Sequence, residues 1–200
     1  MKFDHVFEFK ITLRGIKPPV WRRIQVPCTY TFWDLHVAIQ DAMGWLDYHL
    51  WEFVIDGRTY GLPTDEDWGT RPRKEAAKVR LREVLKPGET LIDYVYDFGD
   101  GWEHEIRVSD IRKGAPEIGY PRYVAGERNG PPEDCGGLPG FYNLLEARAD
   151  PGHPDHADAV AWLEDYDPDL IEELPIKYAL GRIAARRNAA KARLAKPSSA

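Results

Sequence analysis

The sequence predicts an α+β protein, because two kinds of hydrophobic pattern occupy different parts of its 200 residues. Apolar and polar residues alternate in several short segments of residues 1–112, which is typical of half-buried strands. Apolar residues recur at helical spacing in one early segment and again in residues 141–196. Apolar side chains make up 43% of the composition, which is enough for a hydrophobic core.

The chain begins with a predicted β-hairpin followed by a helix. Residues 6–13 and 20–26 each alternate apolar and polar side chains, and a turn rich in glycine and proline separates them. Residues 32–43 have helical spacing, with threonines before them to cap the start and Gly44 just past the end. These patterns predict two antiparallel strands and the first helix.

A strand over residues 50–55 and a reversal at Asp56 and Gly57 follow the helix. Residues 64–78 are polar and poorly periodic, which predicts a surface loop. The order of hairpin, helix and strand resembles the β-grasp arrangement of ubiquitin. That resemblance concerns the fold alone and implies no activity.

Residues 94–108 have the strongest hairpin pattern in the sequence. Its two arms alternate the apolar or aromatic residues Tyr94, Tyr96 and Phe98, then Trp102, His104, Ile106 and Val108, with smaller or polar residues. Between the arms lies the segment 99–101, Gly-Asp-Gly, whose glycines tolerate the positive φ angles of a tight reversal. We therefore expect an additional central β-hairpin.

The second half of the chain predicts a loop and then helices. Residues 113–140 are rich in Gly and Pro, with a short candidate strand at 123–125. Helices are predicted over 141–149, over 154–166 with Val160 and Leu163 on the buried side, and over 176–195. The predicted organisation is a single domain over 1–200, with a mixed core (1–112), a Gly/Pro-rich loop (113–140) and a helical layer (141–196).

Charge and composition exclude several classes of protein. The net charge of −6 and pI near 5.6 argue against a protein that binds nucleic acid over its whole surface. The N-terminus lacks the apolar segment of a secretion signal and no apolar run is long enough to span a bilayer, so we expect a cytoplasmic protein with no membrane partner. Cys28 and Cys135 match no metal or redox spacing and are expected to be free thiols.

The candidate pocket combines the central hairpin with the downstream glycine-rich loop. Its residues are Asp97, Asp100, Trp102, His104, Asp134 and Cys135. A divalent metal held by His104, Asp97 and Asp134 is one hypothesis, because imidazole and carboxylate ligands suit zinc, manganese or iron. The alternative for His104 is a core histidine, because it shares a strand face with Trp102 and Ile106.

Other residues of the pocket also have structural interpretations. Asp100 can make the turn, and a buried Asp97 would need a partner, for which Arg22, Arg23 and Arg107 are available. Cys135 stands beside acidic residues, which raise the pKa of a thiol, so a structural role is favoured over a nucleophilic one. The paired glycines 136 and 137 allow a close approach of the backbone to a ligand or to the hairpin.

Three further sets of residues leave two interpretations open. His153 and His156 could present two imidazoles, but the neighbouring aspartates also suit a helix start, and His49 is equally ambiguous. The last predicted helix and the residue after it carry, from Lys177 to Lys196, seven basic residues and no acidic one: Lys177, Arg182, Arg186, Arg187, Lys191, Arg193 and Lys196. Arg182, Arg186, Arg187 and Lys191 could contact phosphates, or they could pair with the acidic body of the protein.

Four motifs together resemble a known family. They are Tyr96–His104, Pro131–Phe141, Lys17–Arg23, and Trp162 followed by Asp167-Pro168. With them the chain resembles the plasmid pRiA ORF-three-like family, whose members are also named insertion-sequence passenger proteins of TnpR type. The resemblance implies an α+β domain linked by name to plasmids and mobile elements. It supports no resolvase activity, because a serine recombinase needs a nucleophilic serine and the chain has only Ser109, Ser198 and Ser199.

The sequence favours a non-enzymatic module that binds a protein or a small molecule, because no catalytic spacing is recognisable in it. The alternative is a metal-dependent hydrolase centred on His104 and its neighbouring carboxylates. A second alternative is a nucleic-acid accessory protein that uses the basic C-terminal helix.

Overall fold

The computed structural model describes residues 5–63 and 73–194. These residues form an eight-stranded sheet with four α-helices, which confirms the predicted α+β class. The elements are β1 (His5–Leu13), β2 (Trp21–Pro27), α1 (Phe32–Met43), β3 (Trp51–Ile55), β4 (Arg58–Gly61), β5 (Arg73–Glu75), β6 (Leu91–Tyr96), β7 (Trp102–Lys113), β8 (Arg122–Glu127), α2 (Gly137–Ala149), α3 (His156–Leu163) and α4 (Glu173–Leu194).

The strands are ordered β5-β4-β3-β6-β7-β1-β2-β8 across the sheet. All neighbours are antiparallel except β4 and β5. Both predicted hairpins are confirmed: Phe9 faces Ile24 in the first, and Tyr94 faces His104 in the second. The hairpin–helix–strand order is present, while the closer likeness to ubiquitin stays a prediction.

Helix α1 begins and ends where its sequence predicts. The Thr31 side chain accepts a hydrogen bond from the Asp34 backbone, and the Asp34 carboxylate accepts one from the Thr31 backbone, so two amides at the start of the helix are satisfied. Gly44 ends the helix in the left-handed conformation at φ 86°. Phe32, Leu35 and Ile39 point into the core.

The turn of the central hairpin is longer than predicted. Strand β6 ends at Tyr96, and Asp97 adopts a left-handed φ of 55°. The Asp97 side chain accepts hydrogen bonds from the Gly99 and Asp100 backbones at 2.9 and 3.3 Å, which stabilises a five-residue turn. Phe98 therefore leaves the strand and is 46% exposed, so its predicted place on the strand face is wrong.

Two predicted loops contain regular structure. The segment 113–140 includes β8 and the first residues of α2, which begins at Gly137. Of the predicted loop 64–78, residues 64–72 lie outside the described part of the chain, and 73–78 form β5 and a short 3-10 turn. The candidate strand at 123–125 is confirmed within β8, and α2 begins four residues before the predicted start at 141.

The helical layer follows the prediction with one change of face. Helix α2 contacts α3, while α4 contacts α1 and β8. In α3 the buried side is formed by Ala159 and Leu163, four residues apart, whereas Val160 is 43% exposed. The prediction that Val160 faces the core is therefore wrong, because the buried side of the helix runs through Ala159 and Leu163. Within residues 5–63 and 73–194, no helix combines the length and apolar content that a membrane crossing would need.

Candidate functional site

Three loops meet at the end of the central hairpin that carries Asp97. The loop from α1 to β3 is joined to the loop before α2, because Trp45 Nε1 donates to the Pro131 carbonyl at 2.8 Å. The Leu46 backbone donates to Glu133 Oε1 at 2.7 Å. The Asp97 backbone donates to the Leu50 carbonyl at 2.9 Å. These bonds hold residues from distant parts of the sequence around a common point.

One imidazole nitrogen and three carboxylates converge there. His49 Nε2 lies 3.0 Å from Asp134 Oδ1, 3.6 Å from Asp97 Oδ2 and 4.0 Å from Glu133 Oε2. Ligand atoms of His49, Asp97 and Asp134 all lie within 4.8 Å of one another. We refer to His49, Asp97, Glu133 and Asp134 as the His49 cluster.

In Asp97 and in Glu133, one carboxylate oxygen is held by hydrogen bonds and the other oxygen faces His49. Asp97 Oδ1 is held by the turn amides, while its Oδ2 faces His49. Glu133 Oε1 accepts from the Leu46 backbone and from the Tyr96 hydroxyl at 2.9 Å. Among the described residues, neither Glu133 Oε2 nor His49 Nε2 makes a hydrogen bond of good geometry although both are buried, and the 3.0 Å contact of His49 Nε2 with Asp134 Oδ1 is an ion pair only if the imidazole is protonated. Unpaired buried polar atoms are costly, so their convergence needs a physical reason.

The cluster has an excess of negative charge and is open on one side. The side chains of Asp97 and Glu133 are 9% and 13% exposed, whereas that of Asp134 is 65% exposed. Among the described residues, no lysine or arginine forms an ion pair with these carboxylates. A protonated His49 would neutralise one of the three charges, and a divalent cation would neutralise two.

The geometry fits a divalent metal ion. Ligand atoms about 2.1 Å from an ion lie about 3.0 Å apart along an octahedral edge and about 3.4 Å apart along a tetrahedral edge. The separations of His49 Nε2 from Asp134 and Asp97, 3.0 and 3.6 Å, are close to these values. One imidazole with carboxylates suits zinc, manganese or iron, and the exposed side at Asp134 leaves room for further ligands.

The predicted pocket residues are only partly gathered at this point. Asp97 and Asp134 belong to the His49 cluster. Asp100 lies beside it and accepts a hydrogen bond from the Gly136 backbone at 3.1 Å. Trp102 is buried in the core. Cys135 is also buried, and burial, with a smaller effect of Asp100, raises the pKa of its thiol to about 12, as expected of a structural cysteine.

His104 lies in the core, and His49 occupies the position that the hypothesis gave to it. The His104 ring is fully buried between Trp45 and Tyr94, and its Nδ1 atom lies 3.3 Å from the Tyr94 carbonyl. Burial lowers the pKa of His104 to about 3. The alternation on β7 already indicated this inward face. The metal hypothesis therefore passes from His104 to His49.

None of the arginines suggested as partners of Asp97 reaches it. Arg22 is buried and donates to the carbonyls of Ala42, Trp21 and Glu127. Arg23 pairs with Glu8 and Arg107 with Glu105. The positive partner that Asp97 needs is thus left for His49 or for a bound cation.

The remaining candidates have structural contacts. His156 Nδ1 lies 2.9 Å from the Ala147 carbonyl and links α3 to α2, and His153 Nδ1 accepts from the Asp155 backbone. On α4, the Arg187 guanidinium lies over the Tyr30 ring, 5.6 Å from its centre. Burial raises the pKa of Asp41, and the nearby charges of Arg182 and Arg186 oppose that rise. The basic helix thus faces acidic and aromatic groups of the protein, and Lys196 lies outside the described residues.

Gly137 fixes the contact between the hairpin and the loop before α2. It has a φ of 66°, and a Cβ atom there would lie 2.3 Å from the Asp100 carbonyl oxygen. We expect Gly137→Ala to lower the free energy of unfolding by about 2–4 kcal/mol, because the clash is with backbone. Urea denaturation measures the change. Gly57→Ala is the control, because Gly57 has a φ of 73° with open space around it; equal losses in the two variants would contradict the role of the close contact.

Comparisons with known proteins support the family resemblance and name no activity. The family model of the plasmid pRiA4b ORF-3-like protein matches residues 5–174. A relative from Sinorhizobium fredii, the uncharacterized protein y4hQ, is 39% identical over 185 residues, which cover 90% of this chain and 93% of the relative. A crystal structure of the protein of unknown function MM3350 from Methanosarcina mazei Go1 is similar at a TM-score of 0.78 and 38% identity, covering 85% of this chain and 96% of that one.

Proposed function

The chain belongs to the plasmid pRiA4b ORF-3-like family, and we propose that it is a metal-dependent hydrolase whose divalent ion is held by His49, Asp97 and Asp134. The observation that carries the proposal is the convergence of two buried atoms without hydrogen bonds, His49 Nε2 and Glu133 Oε2, on the same point as two further carboxylates. A cation bound by His49, Asp97 and Asp134 gives the His49 Nε2 atom a partner and lies beside the Glu133 Oε2 atom, which stays free to act on water.

The residues around the cluster support hydrolysis. A divalent ion at such a site supplies Lewis acidity and lowers the pKa of water that it binds. Glu133 Oε2 lies next to the proposed ligands and has no hydrogen bond to any residue that the structure describes, so it can accept a proton from a reacting water molecule. Tyr96 holds the other oxygen of Glu133 and thereby fixes the direction of the carboxylate.

Metal content tests the first part of the proposal. Protein purified without a histidine tag is expected to carry about one transition-metal ion per chain by elemental analysis. His49→Ala is expected to lose the ion. His104→Leu is the matched control, because it removes a histidine from the core and leaves the His49 cluster intact. Loss of metal in the control but not in His49→Ala would overturn the assignment.

Hydrolysis tests the second part. The metal-loaded protein is expected to cleave p-nitrophenyl phosphate or p-nitrophenyl acetate, and Glu133→Gln is expected to reduce the rate at least about 100-fold while it keeps the metal. Stoichiometric metal with no cleavage of a broad substrate panel would reject the hydrolase and leave a metal-binding module. The association with plasmids, the role in nucleic-acid binding and the cytoplasmic location stay predictions.

A further inference from the structure

One buried side chain of α1 contacts the segment that carries His49 on both sides of that residue. His36 Nε2 lies 2.7 Å from Asp47 Oδ1, two residues before His49. The His36 ring also stacks on Trp51, two residues after His49, with ring centres 3.8 Å apart and planes 12° apart. The His36 and Trp51 rings are almost completely buried. A side chain of a regular helix therefore holds both ends of the short segment 47–51.

The hydrogen bonds around His36 fix its tautomer. A carboxylate only accepts hydrogen bonds, so Nε2 of the neutral ring carries the proton and donates to Asp47. Nδ1 then accepts from the buried Tyr94 hydroxyl, which lies 2.8 Å away. The Tyr94 oxygen in turn accepts from Gln40 Nε2 at 2.9 Å. Both nitrogens of the His36 ring are thus satisfied, and its orientation is set by the core.

The loop needs such a contact because it has no regular structure of its own. Residues 44–50 belong to no helix or strand, so no ladder of backbone hydrogen bonds determines where the side chain of His49 points. Asp47 adopts a left-handed φ of 61°, which residues other than glycine rarely have. An apolar side chain could fill the space of His36, whereas a hydrogen bond also fixes a direction.

We propose that His36 and Asp47 are positioning residues of the metal site. They hold segment 47–51 so that His49 Nε2 faces Asp97 and Asp134. The inference rests on the proposed function, because it assigns a role toward the ion that His49 would bind. Neither residue belongs to the His49 cluster, so both act through the backbone of the loop. Groups outside the ligand set that orient a ligand commonly change metal affinity about 10- to 100-fold.

Titration of the metal-free protein with Zn²⁺, in competition with a chelator, tests the proposal. Asp47→Ala removes the acceptor for His36 and is expected to weaken Zn²⁺ binding at least about tenfold. Asp47→Asn removes the same charge, but it keeps an acceptor oxygen and tolerates the left-handed φ, so we expect an affinity within about threefold of wild type.

A second variant tests the same contact from the side of the helix. His36→Phe keeps a ring for stacking on Trp51 and loses both hydrogen bonds, so it is also expected to weaken Zn²⁺ binding at least about tenfold. The double variant His36→Phe with Asp47→Ala should be little weaker than either single variant, because one contact is lost in all three.

Thr31→Ala is the matched control, because it removes the cap at the opposite end of α1. It is expected to lower the urea midpoint while leaving the Zn²⁺ affinity within about twofold of wild type. Equal weakening by Thr31→Ala and Asp47→Ala would assign the effect to overall stability and overturn the proposal. Wild-type affinity in Asp47→Ala and His36→Phe would overturn the positioning role alone, whereas a wild-type chain that binds no Zn²⁺ would overturn the metal site as well.

Discussion

Asp97→Asn is expected to weaken metal binding strongly and, at the same time, to stabilise the metal-free protein. The asparagine keeps an oxygen that accepts the hydrogen bonds from Gly99 and Asp100. It also tolerates the left-handed φ of 55°. What it removes is one of three carboxylates that share a single imidazole. Relief of that repulsion is expected to raise the free energy of unfolding by about 1–2 kcal/mol in EDTA.

Weaker metal binding together with a more stable metal-free protein would show that the Asp97 carboxylate serves the metal and not the fold. Metal affinity, measured by titration, is expected to fall at least about 100-fold, because a direct ligand contributes more than the outer groups of a metal site. Asp110→Asn is the control: it removes an exposed charge paired with Arg112 and should leave metal affinity unchanged. If Asp97→Asn instead destabilised the apo-protein and bound metal normally, Asp97 would be only a turn residue.

The alternating patterns of the sequence were enough to predict both hairpins and the inward face of β7. Alternation reports which side of a strand is buried, so it placed His104 next to Trp102 and Ile106, where the structure has it. The contact between Asp100 and the loop before α2 could also be anticipated, because adjacent glycines allow the backbone to come close.

The partners of Asp97 could not be predicted in the same way. His49 and Glu133 come from loops, and loops have no periodicity that tells where a side chain points. Their approach depends on single long-range hydrogen bonds, such as that from Trp45 to the Pro131 carbonyl. Nothing in the local sequence shows that β3 pairs with β6, which brings His49 next to Asp97.

A third case, the exposed Val160 of α3, shows the limit of helical spacing. Val160 and Leu163 are apolar and three residues apart, so helical spacing alone predicts that they share the buried side. The helix instead buries Ala159 and Leu163, four residues apart, so the size of a side chain did not identify the buried face.

Acid is expected to destabilise the protein strongly, and His104→Leu is expected to reduce that sensitivity. Burial lowers the pKa of His104 from 6.5 to about 3. The contribution of the neutral His104 to the free energy of unfolding is therefore fully present above pH 6.5. It is lost as the pH falls towards 3, because the unfolded chain then binds a proton that the folded chain excludes. The loss is about 1.4 kcal/mol per pH unit, or about 3 kcal/mol at pH 4.5. His36, whose pKa burial also lowers, acts in the same direction.

Urea denaturation in EDTA at pH 7 and pH 4.5 measures the effect without a contribution from bound metal. At pH 7 we expect His104→Leu to change the stability by no more than about 1 kcal/mol, because it loses one long hydrogen bond and removes the unpaired Nε2 atom. At pH 4.5 the variant should be more stable than the wild type by about 2–3 kcal/mol. Ile106→Val, on the same buried face of β7, should cost about 1 kcal/mol at both pH values, because it has no titratable group. The prediction would be wrong if His104→Leu changed the stability by the same amount at pH 7 and at pH 4.5. The acid sensitivity would then come from other groups, because the His104 imidazole would take up protons equally in the folded and unfolded chains.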